Sequence, residues 1–241
     1  MRGTAALAAL TGSVLLLPLA AAATGRHGSV AVGRTNAGSL RGATDVTAAP
    51  GPLRLLPKVR PRDLRFTTDE MAAALHRAAA AVATTFPGSV LSVGNLSART
   101  GGRIPYSVSH QNGLDADLVF YLRDAHGAFA LPDGYLHVGA DLRARGAPTP
   151  GWRFDVARNW ALVAALLADP TVRVQWMFIA EPLRTALLDE GRRAAAPAAL
   201  LARAARVLHQ PSDAPAHDDH LHLRLYCPTP DRALGCEDRG P

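Results

Sequence analysis

Three histidines lie close together near the C-terminal end of the chain. His217, His220 and His222 occur within six residues. If this run forms a strand, alternation places His220 and His222 on one face and the neighbouring leucines on the other. The leucines would then face the core and the imidazoles a cleft. Because imidazole is both a metal ligand and an acid–base group, the run predicts metal-assisted or proton-transfer chemistry.

A second cluster contains one histidine and two aspartates. His110 precedes Asn112-Gly113, a strong turn signal, and Asp115 and Asp117 lie in the alternating run that follows. A turn there would fold the chain back, so His110 and a carboxylate can converge. Asp115 and Asp117 point to the same strand face, and the spacing leaves both open as the metal ligand, with Asp117 only slightly favoured.

Together the clusters offer histidines and one carboxylate, a ligand set that zinc accepts while leaving one position for water. Water on zinc loses its proton near neutral pH and becomes a nucleophile. His220 and His222 would lie roughly 6.5–7 Å apart along the strand, so one can hold the metal while the other acts as the base. His217 could donate to a developing oxyanion. No partner pattern accompanies the remaining histidines, which are expected to have surface or local roles: His27, His76, His126, His137 and His209.

The elements that must position these residues can be outlined from periodicity, caps and turns. Four helices are predicted. The first begins at the capping pattern of residues 67–70 and ends before Pro87, and the second runs from its cap at Asp155 to Asp169. The other two cover residues 182–190, ending at Gly191, and residues 197–209. Strands are predicted at 90–96, 114–122, 172–178 and around 221–225, and a long surface excursion at 123–153. Without regular βαβ alternation, an α+β domain with an antiparallel sheet is favoured.

The two ends of the chain differ from this core. Residues 1–23 have the order of a secretory signal peptide, residues 24–60 resemble a linker or N-terminal arm, and 61–241 would form the single catalytic domain. No later segment is apolar enough to span a membrane. Cys227 and Cys236 are the only cysteines, and in an exported protein they predict a local disulfide.

The chain carries a net charge of +6, but nucleic acid is not the predicted partner. Lys58 is the only lysine, and the arginines are scattered instead of forming one basic block with interleaved aromatics. A mildly positive surface also suits an anionic polymer such as a cell wall.

Two motifs give the chain a family resemblance. Ser109-His110-Gln111-Asn112-Gly113-Leu114-Asp115-Ala116-Asp117, together with His217-Asp218-Asp219-His220-Leu221-His222-Leu223-Arg224 and Cys227-Pro228, resembles the penicillin-insensitive murein endopeptidases. The resemblance extends from about residue 39 to residue 237. It implies a small central antiparallel sheet flanked by helices, a periplasmic location and a Cys227–Cys236 disulfide.

The resemblance also implies roles for individual residues. His110, Asp117 and His222 would be the zinc ligands, which favours Asp117 over Asp115, and His220 and His217 would be active-site histidines. Ser107 stands where some members carry a further histidine of an additional metal site. One zinc ion is therefore expected, and a second is doubtful.

The family implies hydrolysis of the D-alanyl to meso-diaminopimelyl cross-link of peptidoglycan. Two other functions remain open from the sequence. One is a D,D-carboxypeptidase or dipeptidase with the same zinc site. The other is a non-catalytic module that binds the wall or sequesters zinc.

Overall fold

The computed structural model describes residues 28–148, 150–212 and 214–240, and the predicted signal peptide lies outside these ranges. Five α-helices and one 3-10 helix, Pro57–Arg62, occur in the described part of the chain. The α-helices are α1 (Asp69–Thr85), α2 (Val156–Ala168), α3 (Glu181–Arg193), α4 (Ala198–Val207) and α5 (Thr229–Arg232). The strands are β1 (Val30–Arg34), β2 (Ala37–Arg41), β3 (Thr44–Asp45), β4 (Leu53–Leu55), β5 (Phe66–Thr67), β6 (Leu91–Val93), β7 (Asp115–Val119), β8 (Leu122–Arg123), β9 (Phe129–Ala130), β10 (Arg153–Phe154), β11 (Val174–Phe178), β12 (Leu208–His209) and β13 (His220–Leu225).

A six-stranded sheet with the order β12-β11-β13-β7-β6-β4 forms the centre of the fold, which confirms the predicted α+β class. The four inner strands pair antiparallel, as expected. The two edge strands, β12 and β4, instead pair parallel with their neighbours. Both departures have one cause: helices α3 and α4 separate β11 from β12, and α1 separates β4 from β6. A helical crossover returns the chain in the same direction and so produces a parallel pair.

Helices α1 and α2 begin where their caps predict. The Thr68 side chain accepts a hydrogen bond from the backbone N–H of Met71. The Asp155 side chain likewise accepts a hydrogen bond from the backbone N–H of Arg158. Their apolar sides are buried and pack α1 against α2. None of the helices in the described ranges is both long and apolar enough to cross a membrane.

Helix α3 does not stop at Gly191 but continues to Arg193. Gly191 has a packing role, because a Cβ atom built on it would lie 2.5 Å from the Trp160 ring and 2.8 Å from Leu201. The missing side chain thus lets α3 approach α2 and α4 closely. The neighbouring helix is also shorter than predicted, since its last expected residues, Leu208 and His209, form β12.

Residues 28–60 are folded, which corrects the expectation that 24–60 form a linker or loose arm. β1 and β2 form a hairpin, β3 pairs with β5, and β4 is an edge strand of the central sheet. Ala31, Val46 and Leu55 are buried in the core. Strands of two to five residues are too short to show a hydrophobic period, which is why the segment resembled a linker.

The predicted disulfide between Cys227 and Cys236 is confirmed. It closes a short segment that contains α5 and that hydrogen-bonds to the N-terminal hairpin. The Gly33 N–H donates to the Gly235 carbonyl at 2.8 Å, and the Ala31 N–H donates to the Asp231 carboxylate at 2.8 Å. The C-terminal tail therefore holds β1 in place.

The close approach at Gly191 makes a testable prediction. Gly191→Ala would gain up to about 1 kcal/mol of helix propensity. It would also force Trp160 or Leu201 to move, and overpacking of this kind costs about 1–3 kcal/mol. With the full gain in propensity, we expect the free energy of unfolding to fall by up to about 2 kcal/mol in urea denaturation. The control Arg192→Ala, exposed on the same turn, should change it by less than about 0.5 kcal/mol. A more stable Gly191→Ala variant would contradict this account.

Candidate metal centre and active-site cleft

The pairing of β7 with β13 brings the two sequence clusters together. In the antiparallel register Asp117 lies opposite His222, and Asp115 lies opposite Arg224. Residues directly opposite each other share a face of the sheet. His220 is two positions from His222 and lies on this face, while Leu221 and Leu223 are buried on the other. The sheet register therefore creates a polar cluster in the centre of an otherwise apolar layer.

His110 reaches this cluster through an unusual backbone conformation. Its φ of 66° is in the left-handed region, which costs a non-glycine residue about 1–2 kcal/mol. Its backbone N–H donates to Asp115 Oδ2 at 3.1 Å, and its Nε2 lies 3.1 Å from Asp117 Oδ1. A strained residue held in this way at a polar cluster is a frequent feature of functional sites.

Three side chains present converging and unsatisfied ligand atoms. His110, Asp117 and His222 are 1%, 4% and 5% exposed, and one ligand atom from each lies within 4.8 Å of the others. Both ring nitrogens of His110, Oδ1 of Asp117 and Nε2 of His222 are buried without a hydrogen-bond partner. Each such atom costs about 1–3 kcal/mol, and a cation in their midst would satisfy several at once. These groups could therefore hold a metal ion.

The two oxygens of Asp117 have different surroundings. Oδ2 accepts hydrogen bonds from Asn95 Nδ2 at 3.0 Å and from the Tyr135 hydroxyl at 3.3 Å. Oδ1 faces three imidazoles: His110 Nε2 at 3.1 Å, His220 Nε2 at 3.3 Å and His222 Nδ1 at 3.5 Å. One oxygen is thus fixed to the protein, and the other remains available to a ligand.

Asp115 is fully engaged by contrast. Arg224 donates to both of its oxygens, at 2.7 and 3.1 Å, and the His110 N–H adds a third hydrogen bond. His222 Nε2 lies 3.2 Å from Asp115 Oδ1, but outside hydrogen-bond geometry. Asp115 is completely buried, and Arg224 is 5% exposed. Asp115 therefore supports the cluster, and Asp117 is the stronger candidate for a ligand.

These contacts shift the pKa values of the cluster. Burial would raise the pKa of both aspartates, but neighbouring basic side chains hold each pKa well below its usual range: Arg224 and His222 act on Asp115, and His110 and His220 on Asp117. Burial would likewise lower the pKa of His220, yet Asp117 and Asp219 raise it to about 10. Burial, with His220 and His222 nearby, lowers the pKa of His217 to about 4.

His217 and His220 adjoin the candidate ligands. Their rings lie 5.0 Å apart, and His217 is 5.4 Å from the ring of His222. His220 Nδ1 lies 2.6 Å from Asp219 Oδ1, and His217 Nδ1 lies 3.0 Å from the Pro215 carbonyl oxygen. The three histidines form a second group whose geometry could hold a metal, and it shares His222 with the first.

Residues of the 123–153 segment also reach the site, which corrects its description as a surface excursion. The segment contains β9 and is bounded by β8 and β10, and its half-buried Tyr135 lies beside His220, with ring centroids 5.2 Å apart. Gly94 leaves room for the Tyr135 hydroxyl, because a Cβ there would lie 1.8 Å from it. His137 pairs with Asp218 at 2.8 Å and fastens the segment to β13.

Four further residues belong to the site although the sequence did not indicate them: Asn95, Tyr135, Phe178 and Arg224. Strand alternation could have identified Arg224, which is two residues beyond His222. Phe178 lies opposite His222 in the sheet, with ring centroids 5.4 Å apart, but only the register reveals this. No local pattern marks Tyr135 or Asn95, since their contacts join distant segments.

A cleft of about 340 Å³ opens over the cluster. His217 and His222 form part of one wall, and Phe178 and Trp176 provide an apolar surface beside them. His209, expected to have only a surface role, also lines this cleft, with its ring 5.6 Å from that of Trp176. Of the three candidate ligands, His222 lines this cleft, so a substrate that binds along β11 would approach the cluster from the side of His222.

The buried ion pair predicts a large effect on stability. Arg224→Met would leave the Asp115 charge without its main partner, and breaking a buried pair in this way costs about 3–5 kcal/mol. Denaturant unfolding should show a loss of that size. Arg192→Met, which removes the exposed pair with Asp189, should cost less than about 1 kcal/mol. Equal losses in the two variants would contradict a structural role for Arg224.

Comparison with known proteins is consistent with this site. Residues 31–132 match the family model of the penicillin-insensitive murein endopeptidases. The matched segment contains His110 and Asp117, but ends before His222. No curated protein matches the chain. The family match confirms the resemblance over the part of the chain that carries the first motif: over residues 31–132 this chain is similar to the penicillin-insensitive murein endopeptidases, peptidases that act on the cell wall.

Proposed function

We propose that this chain is an exported zinc endopeptidase that hydrolyses D-alanyl–meso-diaminopimelyl cross-links of peptidoglycan, in the periplasm. One observation carries the proposal: the buried, unpartnered ligand atoms of His110, Asp117 and His222 converge beside an open cleft. The family match supplies the class of substrate. The disulfide supports export, because such bonds persist in oxidising compartments.

The donor set fits zinc, which binds two histidines and a carboxylate and keeps a fourth position open in catalytic sites. When bound, zinc would supply Lewis acidity, which lowers the pKa of water and polarises a carbonyl group. Asn95 and Tyr135 orient Asp117 through its outer oxygen, and Asp115 and Arg224 hold the strand that carries His222. Such supporting contacts fix the ligand geometry before the metal arrives.

His220 is the proposed acid–base residue. Asp219 holds Nδ1, so the ring keeps its orientation and presents Nε2 next to Asp117. From that position Nε2 can take a proton from the attacking water and deliver it to the leaving amine. Without a metal, Asp117 and Asp219 raise the pKa of His220 and favour the protonated ring, which cannot accept a proton. A cation held by Asp117 Oδ1 would offset the charge of that carboxylate and so favour the neutral ring that the first transfer requires, while Asp219 would stabilise the protonated ring between the two transfers.

The surroundings of His217 favour a different role from the oxyanion donor expected from the sequence. A hydrogen bond from Nδ1 to the Pro215 carbonyl places the proton of the neutral ring on Nδ1. Nε2 is then an acceptor. We propose that His217 accepts a hydrogen bond from an N–H group of the bound peptide and so positions it.

A carboxypeptidase that uses the same metal is the second candidate, and one observation favours it. Arg239 lines the cleft, and its guanidinium makes no ion pair within the described ranges. A free guanidinium in a cleft can hold the terminal carboxylate of a peptide. The two activities differ in product: an endopeptidase converts cross-linked dimers to monomers, whereas a carboxypeptidase releases free alanine.

Metal dependence is the first functional prediction. The mature protein loaded with zinc should convert purified cross-linked muropeptide dimers to monomers, and a chelator should abolish this conversion. His110→Ala and His222→Ala should lose both bound zinc and activity, because each removes a ligand. His126→Ala, which removes an exposed histidine that belongs to neither motif and does not line the cleft, should retain zinc and activity.

The products decide between the alternatives. Release of free alanine with an unchanged dimer profile would mean that the protein is a carboxypeptidase and not an endopeptidase. A zinc-loaded protein that binds the wall but cleaves no bond would support the non-catalytic module.

The proposed division of roles predicts that His220→Ala retains its zinc. Its kcat on dimers should fall by about 10²–10⁴-fold, the usual contribution of an acid–base group. Tyr135→Phe, which removes only the hydroxyl contact with Asp117 and Asn95, should weaken zinc binding more than it lowers the kcat of the fully loaded enzyme. Zinc titration and steady-state kinetics on both variants separate these effects. If the His220→Ala variant loses its zinc, His220 is a metal ligand and not only an acid–base residue.

A further inference from the structure

A second cavity, of about 450 Å³, lies beside the active-site cleft. Three arginines, Arg173, Arg203 and Arg206, line it together with Tyr226 and Trp176. Trp176 also lines the cleft, so the two cavities meet at this ring. We call the second cavity the arginine pocket.

The arginines of this pocket have no carboxylate partners. Among the residues described by the structure, neither Asp nor Glu forms an ion pair with any of the three. Arg173 lies over the Tyr226 ring at 4.7 Å, and Arg203 donates to the Leu167 carbonyl. No carboxylate lines the pocket, whereas most other arginines of this chain have an acidic neighbour. Three uncompensated cations around one cavity create a local positive potential that attracts an anion.

The pocket has a defined position relative to the candidate metal ligands. Phe178 lies opposite His222 in the sheet, with ring centroids 5.4 Å apart. Trp176 lies two residues before Phe178 in the same strand, β11. The rings of Phe178 and Trp176 are stacked, with centroids 6.1 Å apart. An apolar surface therefore leads from the candidate metal centre to the arginine pocket. Trp176 and Phe178 are two residues apart, which spans roughly 6.5–7 Å of strand, about two residues of an extended peptide.

We propose that the arginine pocket is an anion-binding subsite that holds a carboxylate of the peptide substrate while the scissile bond lies at His222. This inference rests on the proposed function, because it assigns the pocket to the same substrate. Arginine suits the role, since its planar guanidinium binds carboxylates through two parallel hydrogen bonds. Cross-linked stem peptides retain free carboxylates next to the bridge, so they offer such a group on either side of the bond.

The test compares two double variants with the same change in net charge. Arg173→Gln/Arg206→Gln removes the two exposed arginines of the pocket and spares Arg203, which has a structural hydrogen bond. Arg41→Gln/Arg123→Gln removes two exposed arginines that line neither cavity. Each is assayed on muropeptide dimers with free carboxylates and on the same dimers with the carboxylates amidated.

We expect the pocket variant to raise KM for the free-carboxylate dimer about tenfold or more, with kcat little changed. Amidation should raise the KM of the unaltered protein by a similar factor and should have little further effect on the pocket variant. The Arg41→Gln/Arg123→Gln variant should behave like the unaltered protein on both substrates. An unchanged KM in the pocket variant, or the same loss on both substrates, would overturn the proposal.

A binding measurement separates this proposal from the catalytic one. In the presence of chelator, which prevents cleavage, the protein is pelleted with insoluble peptidoglycan that is either untreated or amidated. Weaker pelleting of the pocket variant on untreated wall alone supports the subsite even if no bond is ever cleaved. Equal pelleting of both double variants on untreated wall would reject the subsite even if the unaltered protein is an active endopeptidase.

Discussion

The Asp115 carboxylate lies fully buried between the two central strands of the sheet, and there it must be satisfied by the protein itself. Arg224 from the opposite strand and the His110 N–H supply the hydrogen bonds. A buried charge is tolerated only with such a complete set of partners. One carboxylate therefore fixes the register of β7 against β13, the left-handed backbone at His110 and the environment of His222. All three candidate ligands depend on it, directly or through the strands that carry them.

This arrangement frees Asp117 for another task. Two aspartates separated by one residue share a face, but they differ in their partners, and the difference follows from the residues opposite them in β13. Asp115 faces an arginine and Asp117 faces a histidine. The buried atoms without partners, and the positive φ of His110, are destabilising features in the absence of a ligand. The apolar core, to which Leu221 and Leu223 belong, and the capped helices α1 and α2 offset that cost.

Much of the fold and site could be predicted because the relevant signals are local. Thr68 and Asp155 cap their helices within a single turn, and the alternation of histidine and leucine in 220–223 assigns the faces of β13. Features that depend on distant partners could not be predicted. Tyr135 belongs to a loop without any period and meets Asp117 only through the tertiary fold. The hairpin at 30–41 is too short for periodicity, and Gly191 resembled a helix end although its role is to admit Trp160.

The position of β13 in the middle of the sheet has a consequence for folding. Its neighbours β7 and β11 precede it in the chain, so the central sheet cannot close before residues 220–225 have been synthesised. The Arg224–Asp115 pair spans 109 residues, and the contact of Ala31 with Asp231 spans 200. Such high contact order slows folding, because long loops must close before the contacts that stabilise them form. A chain cut short before β13 would therefore have neither a closed central sheet nor a complete set of candidate ligands, because β13 supplies His222.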